Sequence, residues 1–324
     1  MRTITFVEAL VEAQREEMRR DPSIFIMGED AGYSGGAFGA TVGLSQEFGA
    51  ERVRDTPISE AAIMGAAVGA AMAGMRPIVE MQYMEFLPYM DALVNLAAKI
   101  HLMSGGQVRV PLVLRGPLGA KGANGAQHTQ NIEAWFVHTP GLVVVMPSTP
   151  VDAKGLLKSA IRDDNPVLFL EAEMMYGMKG EVPDGEHIVP LGVAEVKRPG
   201  ADVTIVSFSK PMRAALEAAD ALAAMGVQAE VIDLRTIRPL DEKTIYDSVA
   251  KTSRCVVVDE AWPFASVGSH VAWLVSRTCF DDLDAPVELV AGEDVPMPYN
   301  HTLELAAQPS AAKIVEAVKR AAYL

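Results

Sequence analysis

A carboxylate that opens an apolar helix and a histidine set in a glycine-dense loop are the side chains of this sequence best suited, by type and spacing, to chemistry. The first is Glu60, in the run Asp55-Thr56-Pro57-Ile58-Ser59-Glu60. Turn formers precede it, and an Ala- and Gly-rich stretch follows in which Gly65, Gly69 and Ala73 recur every four positions. A helix surfaced in that way lets another backbone come very close. The helix dipole favours a carboxylate in the first turn by about 0.3–1 kcal/mol, which by itself explains a glutamate there. The helix behind Glu60 is almost wholly apolar rather than solvated, however, so the side chain is expected at an interface, where desolvated carboxyl groups serve as proton donors and acceptors.

The second group is His128, within Arg115-Gly116-Pro117-Leu118-Gly119-Ala120-Lys121-Gly122-Ala123-Asn124-Gly125-Ala126-Gln127-His128-Thr129-Gln130. This loop follows an apolar strand, and in an open parallel sheet ligands bind at the carboxyl ends of the strands. Its glycines allow close backbone approach to a ligand, and His128 is its one side chain that titrates near neutral pH. Taken alone, a loop histidine more often has a surface or hydrogen-bonding role. A further Gly-rich loop spans 28–43. No GxxxxGK[ST], HExxH or GxSxG occurs, nor a GxGxxG between strand and helix, so ATPase, zinc-protease, esterase and dinucleotide readings lack their signatures.

These groups need a frame. The capping pattern Thr5-x-x-Glu8 starts a helix whose apolar residues Phe6, Val7, Leu10, Val11, Ala13 and Met18 keep helical spacing until Asp21-Pro22. An apolar run follows at 24–27, then a helix at 59–74, a strand at 78–81, a helix at 88–103, strands at 112–115 and 142–146, a helix at 152–162 and a strand at 167–171. Strands alternating with helices predict a parallel sheet covered on both faces. Gly, Pro and charged residues dominate 177–200, after which strands are expected at 203–208, 229–234, 255–258 and 287–290 with helices between them. The expected architecture is α/β with two domains, residues 1–186 and 187–324.

A chain of 324 residues suits two such cores. Half the residues are hydrophobic, yet no uninterrupted apolar run reaches the roughly 18 residues that a membrane span requires. With 42 acidic against 28 basic residues the net charge is −14, which opposes binding to nucleic acids or anionic membranes. The amino terminus lacks the basic-then-apolar layout of a secretion signal, so a bacterial cytoplasm or an organelle matrix is expected. Cys255 and Cys279 suit neither a disulfide framework nor a zinc site and are expected to be packing residues.

Several ordered segments resemble one family. They are Pro57-Ile58-Ser59-Glu60, Glu80-Met81-Gln82-Tyr83-Met84-Glu85-Phe86, Ala97-Ala98-Lys99, Met103-Ser104-Gly105-Gly106, Gln127-His128, Val145-Met146-Pro147-Ser148-Thr149-Pro150, Asp152-Ala153-Lys154-Gly155-Leu156 and the run from Ala160 through Asn165-Pro166. Together they look like the β subunit of the decarboxylating component of 2-oxo acid dehydrogenase complexes, of the pyruvate or acetoin type, and essentially the whole chain is covered. The resemblance implies a transketolase-like pyrimidine-binding domain followed by a transketolase C-terminal-type domain. It also implies thiamine diphosphate shared with an α subunit in an α2β2 heterotetramer. In that family the α chain holds the diphosphate and magnesium through a GDG motif, and here the nearest text, Gly28-Glu29-Asp30, lacks the second glycine.

By the same resemblance, Glu60 hydrogen-bonds the coenzyme's aminopyrimidine ring, which then helps deprotonate the thiazolium carbon. Phe86 stacks on the pyrimidine, and Glu29, Ile58 and Gln82 line the pocket. His128 is implied to orient the acyl group and assist its transfer to the lipoyl group of an acyltransferase core. A single histidine at this place resembles pyruvate and acetoin members more than branched-chain ones. Leu112, Ala160, Ile161, Asp163 and Asn165 match positions that hold a potassium ion, largely through backbone oxygens; a plain helix end before Pro166 is the other reading of that stretch. The function implied is oxidative decarboxylation of pyruvate, or cleavage of acetoin, with acyl transfer to lipoamide. The alternatives are a split transketolase-like carboligase subunit and a noncatalytic scaffold of an α/β assembly.

Overall fold

The computed structural model describes residues 1–324, which form two compact units: residues 1–118 with 135–191, and residues 119–134 with 192–324. The chain therefore passes from the first unit to the second and back before its final crossing after Leu191.

The first unit begins with strand β1 (Arg2–Thr5) and helix α1 (Phe6–Arg20). The Thr5 hydroxyl accepts from the Glu8 amide while the Glu8 carboxylate accepts from the Thr5 amide at 2.7 Å, the reciprocal cap that the spacing predicts. There follow β2 (Ile24–Gly28), α2 (Leu44–Phe48), β3 (Val53–Asp55), α3 (Glu60–Met72), β4 (Arg76–Glu80), α4 (Ile100–Met103), β5 (Val113–Pro117), α5 (Glu133–Val137), β6 (Val143–Val145), α6 (Pro150–Arg162), β7 (Val167–Glu171) and β8 (Lys179–Val182). The strands β6-β7-β5-β4-β2-β3 lie side by side in that order, every pair parallel. β2, β5 and β7 are buried along their whole length, as a sheet covered on both faces requires. Helices α1 and α6 pack together, and the buried lysines Lys154 and Lys158 of α6 reach Glu16 of α1 at 2.6 and 2.7 Å.

Besides the unexpected α2, β3 and α5, two features depart from the expected elements. β1 pairs antiparallel with β8, whose residues fall in the polar stretch read as a boundary. The helix predicted over 88–103 is instead a 3₁₀ turn (Leu87–Tyr89), a π-helix (Ala92–Ala97) and the short α4. The Ala98 amide reaches back five residues to the Leu93 carbonyl at 3.0 Å, the wide turn that an inserted residue produces and that recurs beside functional sites.

The second unit contains β9 (Glu195–Arg198), β10 (Val203–Ser207), α7 (Pro211–Ala224), β11 (Ala229–Asp233), β12 (Thr236–Arg238), α8 (Glu242–Thr252), β13 (Cys255–Val258), α9 (Val267–Thr278), β14 (Glu288–Val290), α10 (His301–Ala307) and α11 (Ala311–Ala322). Its sheet runs β14-β13-β10-β11-β9, parallel except for β9. Val203, Ile205, Leu222, Val231, Val256, Ile314 and Val318 form its core, where α7 and α11 pack together over the strands. Cys255 and Cys279 are buried free thiols, in keeping with a packing role. No helix is long and apolar enough to cross a membrane.

Candidate active site

Three neighbouring strands of the first sheet, β3, β2 and β4, end on one edge, and each delivers candidate residues there. Glu29 follows the last residue of β2 directly. From β3 the chain passes through Thr56 to Ser59 and starts α3 with Glu60. Beyond β4 lie Gln82 and Phe86. After β2 the chain goes first to β3 on one side and then to β4 on the other. Such a reversal opens a crevice at the carboxyl ends of the strands, the place where open parallel sheets bind ligands.

Glu29 is only 8 % exposed. Its carboxyl is held above the ordinary carboxylate range by burial first, then by the negative charges of Glu60 and Asp30. Glu60 is half-buried, as are Gln82 and Phe86. The Phe86 ring meets Tyr83 edge-on, with centroids 5.4 Å apart, and Tyr83 leans on Phe38 at 5.7 Å. Ile58 stands out from the chain with its side chain 82 % exposed. Glu29, Ile58, Glu60, Gln82 and Phe86 thus all belong to one edge of the first unit.

Beneath that edge lies an ionic cluster that the sequence did not mark as special. Arg115 of β5 bonds Glu171 of β7 through two nitrogens and Glu80 of β4 through a third, and Tyr176 donates to Glu171 at 2.6 Å. Two carboxylates share one guanidinium, so burial, with Glu171 adding to it, keeps the Glu80 carboxyl raised despite Arg115. Gly36 of the 28–43 loop lies against this cluster. Its φ is +84°, and a β-carbon there would sit 2.4 Å from the Glu80 carboxylate, so only glycine fits.

The face of α3 bearing Ala61, Ala62, Gly65, Ala66, Gly69 and Met72 is exposed, while Ile63, Met64, Ala67, Val68 and Ala71 point into the unit. A β-carbon added at Gly65 or Gly69 would meet nothing within 4 Å. A helix this apolar with one face open has the character of a surface covered on assembly.

His128 belongs to the other unit, because the segment 119–134 associates with the strands and helices that follow Gly192. The histidine is half-buried, and its carbonyl accepts from the Lys121 ammonium at 2.6 Å. The groups that hold this segment, Glu260, Glu304 and Lys210, are remote in sequence and carry no motif.

Leu112, Ala160, Ile161, Asp163 and Asn165 gather at the opposite, amino edge of the first sheet, just before β5 and β7 and at the end of α6. The Ile161 carbonyl accepts from Arg76 Nε at 3.0 Å, and the Asp163 carbonyl accepts from Arg76 Nη2. The Asp163 carboxylate accepts from the amide and side-chain nitrogens of Asn165, each at 2.8 Å. The chain gathers no group of three or more His, Cys, Asp or Glu side chains able to hold a metal ion.

Comparison with known proteins matches this architecture. Residues 2–179 match the transketolase pyrimidine-binding domain and residues 192–314 the transketolase C-terminal domain. A solved structure titled "Split gene transketolase, inactive beta4 tetramer" is similar with a TM-score of 0.83, covering 99% of each chain at 25% identity. The class is accordingly a two-domain chain of transketolase type. Among curated relatives, the pyruvate dehydrogenase E1 component subunit beta of Rhizobium meliloti is 51% identical, covering 100% of this chain and 71% of its own. That of Rickettsia felis is 50% identical over 99% and 98% of the two chains, and the mitochondrial one of Caenorhabditis elegans 49% over 98% and 92%. The chain belongs to this family of E1 β subunits, which are thiamine-diphosphate-dependent.

Proposed function

We propose that this chain is the half of a pyruvate dehydrogenase that grips the pyrimidine ring of thiamine diphosphate, and that an α subunit completes the site in an α2β2 heterotetramer. The observation that carries this reading is the convergence of Glu29, Glu60, Gln82 and Phe86 at the ends of adjacent parallel strands. An aminopyrimidine needs an aromatic or apolar wall and a carboxyl partner for a ring nitrogen, and Phe86 with Tyr83, together with Glu60, offer both. A diphosphate fits less well: Glu29, Asp30 and Glu60 concentrate negative charge on this edge, which favours an α subunit as the holder of the diphosphate and magnesium.

When bound, the coenzyme supplies the carbon nucleophile and the electron sink for decarboxylation. Glu60 forms a charge-assisted hydrogen bond to the ring and holds the proton there, while Phe86 stacks and Ile58, Gln82 and Glu29 close the pocket. His128 orients the acyl group and assists its transfer to the lipoamide of an acyltransferase core. At the amino edge, Leu112, Ala160, Ile161, Asp163 and Asn165 would hold potassium, largely through backbone oxygens; the Ile161 and Asp163 carbonyls, which accept from Arg76, each keep a second lone pair. Bacterial and mitochondrial relatives favour the cytoplasm or an organelle matrix as its place of work.

The test is co-expression with its α subunit and assay of pyruvate, acetoin and branched-chain 2-oxo acids with a dye acceptor. Turnover of pyruvate by the mixed subunits, absent from either alone, is expected. Equal activity of this chain by itself would overturn the shared site, and no thiamine-diphosphate binding by the mixture would overturn the reading and leave the scaffold role. Likeness to a split-gene transketolase supports a carboligase as second reading, and lipoamide-dependent acyl transfer separates the two.

A further inference from the structure

We propose that Glu304 is a positioning residue for His128, fixing from α10 the loop on which the histidine rides; this rests on the role given to His128 above. The loop is closed at its base by the Gly119 amide donating to the Gln130 carbonyl at 3.1 Å. Within it the Thr129 hydroxyl bonds the Gly125 carbonyl, and the buried Lys121 donates to the His128 carbonyl at 2.6 Å. Whatever holds Lys121 therefore holds the His128 backbone.

The two residues after Lys121 are held by Glu304. Its carboxylate, with the residue 1 % exposed, accepts from the Gly122 amide at 3.2 Å and from the Ala123 amide at 2.8 Å. Ala123 adopts φ +69°, a left-handed conformation unfavourable for a residue with a β-carbon. Successive N–H groups in such a turn converge on one anion, and the Glu304 carboxylate is the anion in place. A strained conformation persists only where its surroundings impose it.

Neighbouring groups brace the same segment. Glu260 accepts from the Ala120 amide at 2.9 Å, Lys210 donates to the Ala120 carbonyl at 3.3 Å, and Ala120 is buried with Met297 and Ala307. Gly125, at φ +78°, lies so near Tyr299 that a β-carbon would stand 2.2 Å from its ring. Lys210 also donates to the Gln308 side chain at 2.8 Å, and Gln308 donates in turn to the Glu304 carbonyl at 3.1 Å. The helix bearing Glu304 is thus tied to the braces around it.

The experiment uses the enzyme assembled with its α subunit and compares Glu304→Ala, Glu304→Gln, His128→Ala and the double variant Glu304→Ala/His128→Ala. Readouts are kcat and KM for pyruvate in lipoamide-dependent transfer, and amide exchange across residues 119–134. Glu304→Ala is expected to lower kcat by up to about 10²-fold, the loss that misplacement of a functional group causes, with KM little changed. Glu304→Gln, which keeps an oxygen acceptor, recovers part of that loss. If Glu304 acts through His128, adding Glu304→Ala to His128→Ala lowers kcat no further, whereas a merely structural role gives additive losses. Additive losses, or unchanged kcat with unchanged exchange in Glu304→Ala, overturn the proposal. Should Glu304→Ala not assemble, unchanged exchange and kcat in Glu304→Gln overturn it equally. Full transfer activity in His128→Ala would instead sink the role of the histidine, a different result from failure of the Glu304 anchor.

Discussion

Arg115 holds Glu171 with two edges of its guanidinium, Nε to Oε1 at 2.7 Å and Nη2 to Oε2 at 2.6 Å, while Nη1 reaches Glu80 at 2.5 Å. All three side chains are buried. Removing the cation leaves two carboxylates uncompensated in the sheet, and breaking a buried pair in this way costs roughly 3–5 kcal/mol. Arg115→Met is expected to lose that much, read from the denaturant midpoint at constant slope. A loss under about 1 kcal/mol would mean that the cluster contributes only what an exposed ion pair does.

Glu60→Gln keeps the size and polarity of the side chain but removes its ionisable group. Turnover of the assembled enzyme is expected to fall by about 10²–10⁴-fold, the usual contribution of a positioned proton-transfer group. Subunit assembly, followed by size-exclusion chromatography, should not change. Activity close to that of the parent would remove Glu60 from the chemistry.

Glu29 predicts a pH effect of definite sign. Burial, then Glu60 and Asp30, raise its pKa in the folded chain, so the folded form binds the proton more tightly than the unfolded one. The stability gained is complete below the unfolded value of about 4.3 and is lost as pH rises through the native value. Glu29→Gln abolishes this titration. The variant should melt above the parent at neutral pH, with the advantage shrinking as the solution is acidified. A melting offset that stays constant along the pH series would contradict the assignment.

Potassium is tested by exchange at fixed ionic strength. If it binds the folded chain alone, a hundredfold excess over Kd adds about 2.7 kcal/mol. Replacing potassium chloride with choline chloride should therefore lower the melting temperature, and Asp163→Ala, which releases Asn165, should flatten the response. Identical melting in both salts would count against the ion.

Much of the candidate edge was legible because it depends on short-range signals. Thr5 and Glu8 cap α1 as their spacing implied, the strands at 167–171 and 255–258 fall where their apolar runs begin and end, and Glu60 does open its helix. Less legible was whatever depends on partners far apart in sequence. β1 is too short and too exposed to announce itself without β8. The π-turns at Ala92–Ala97 have the same apolar spacing over a few residues as an α-helix. Glu304 looks like an ordinary helix glutamate, since the amides it binds lie 182 and 181 positions earlier.

The early position of the His128 segment also bears on biosynthesis. At about 5–20 residues per second, Glu304 is made some 10–40 s after Ala123. Until then a glycine-rich ribbon has left the ribosome without the carboxylate that shapes it. A chain stalled or truncated before α10 is expected to offer this stretch to proteases first, so cleavage within 119–134 would report unfinished synthesis rather than damage to a mature protein.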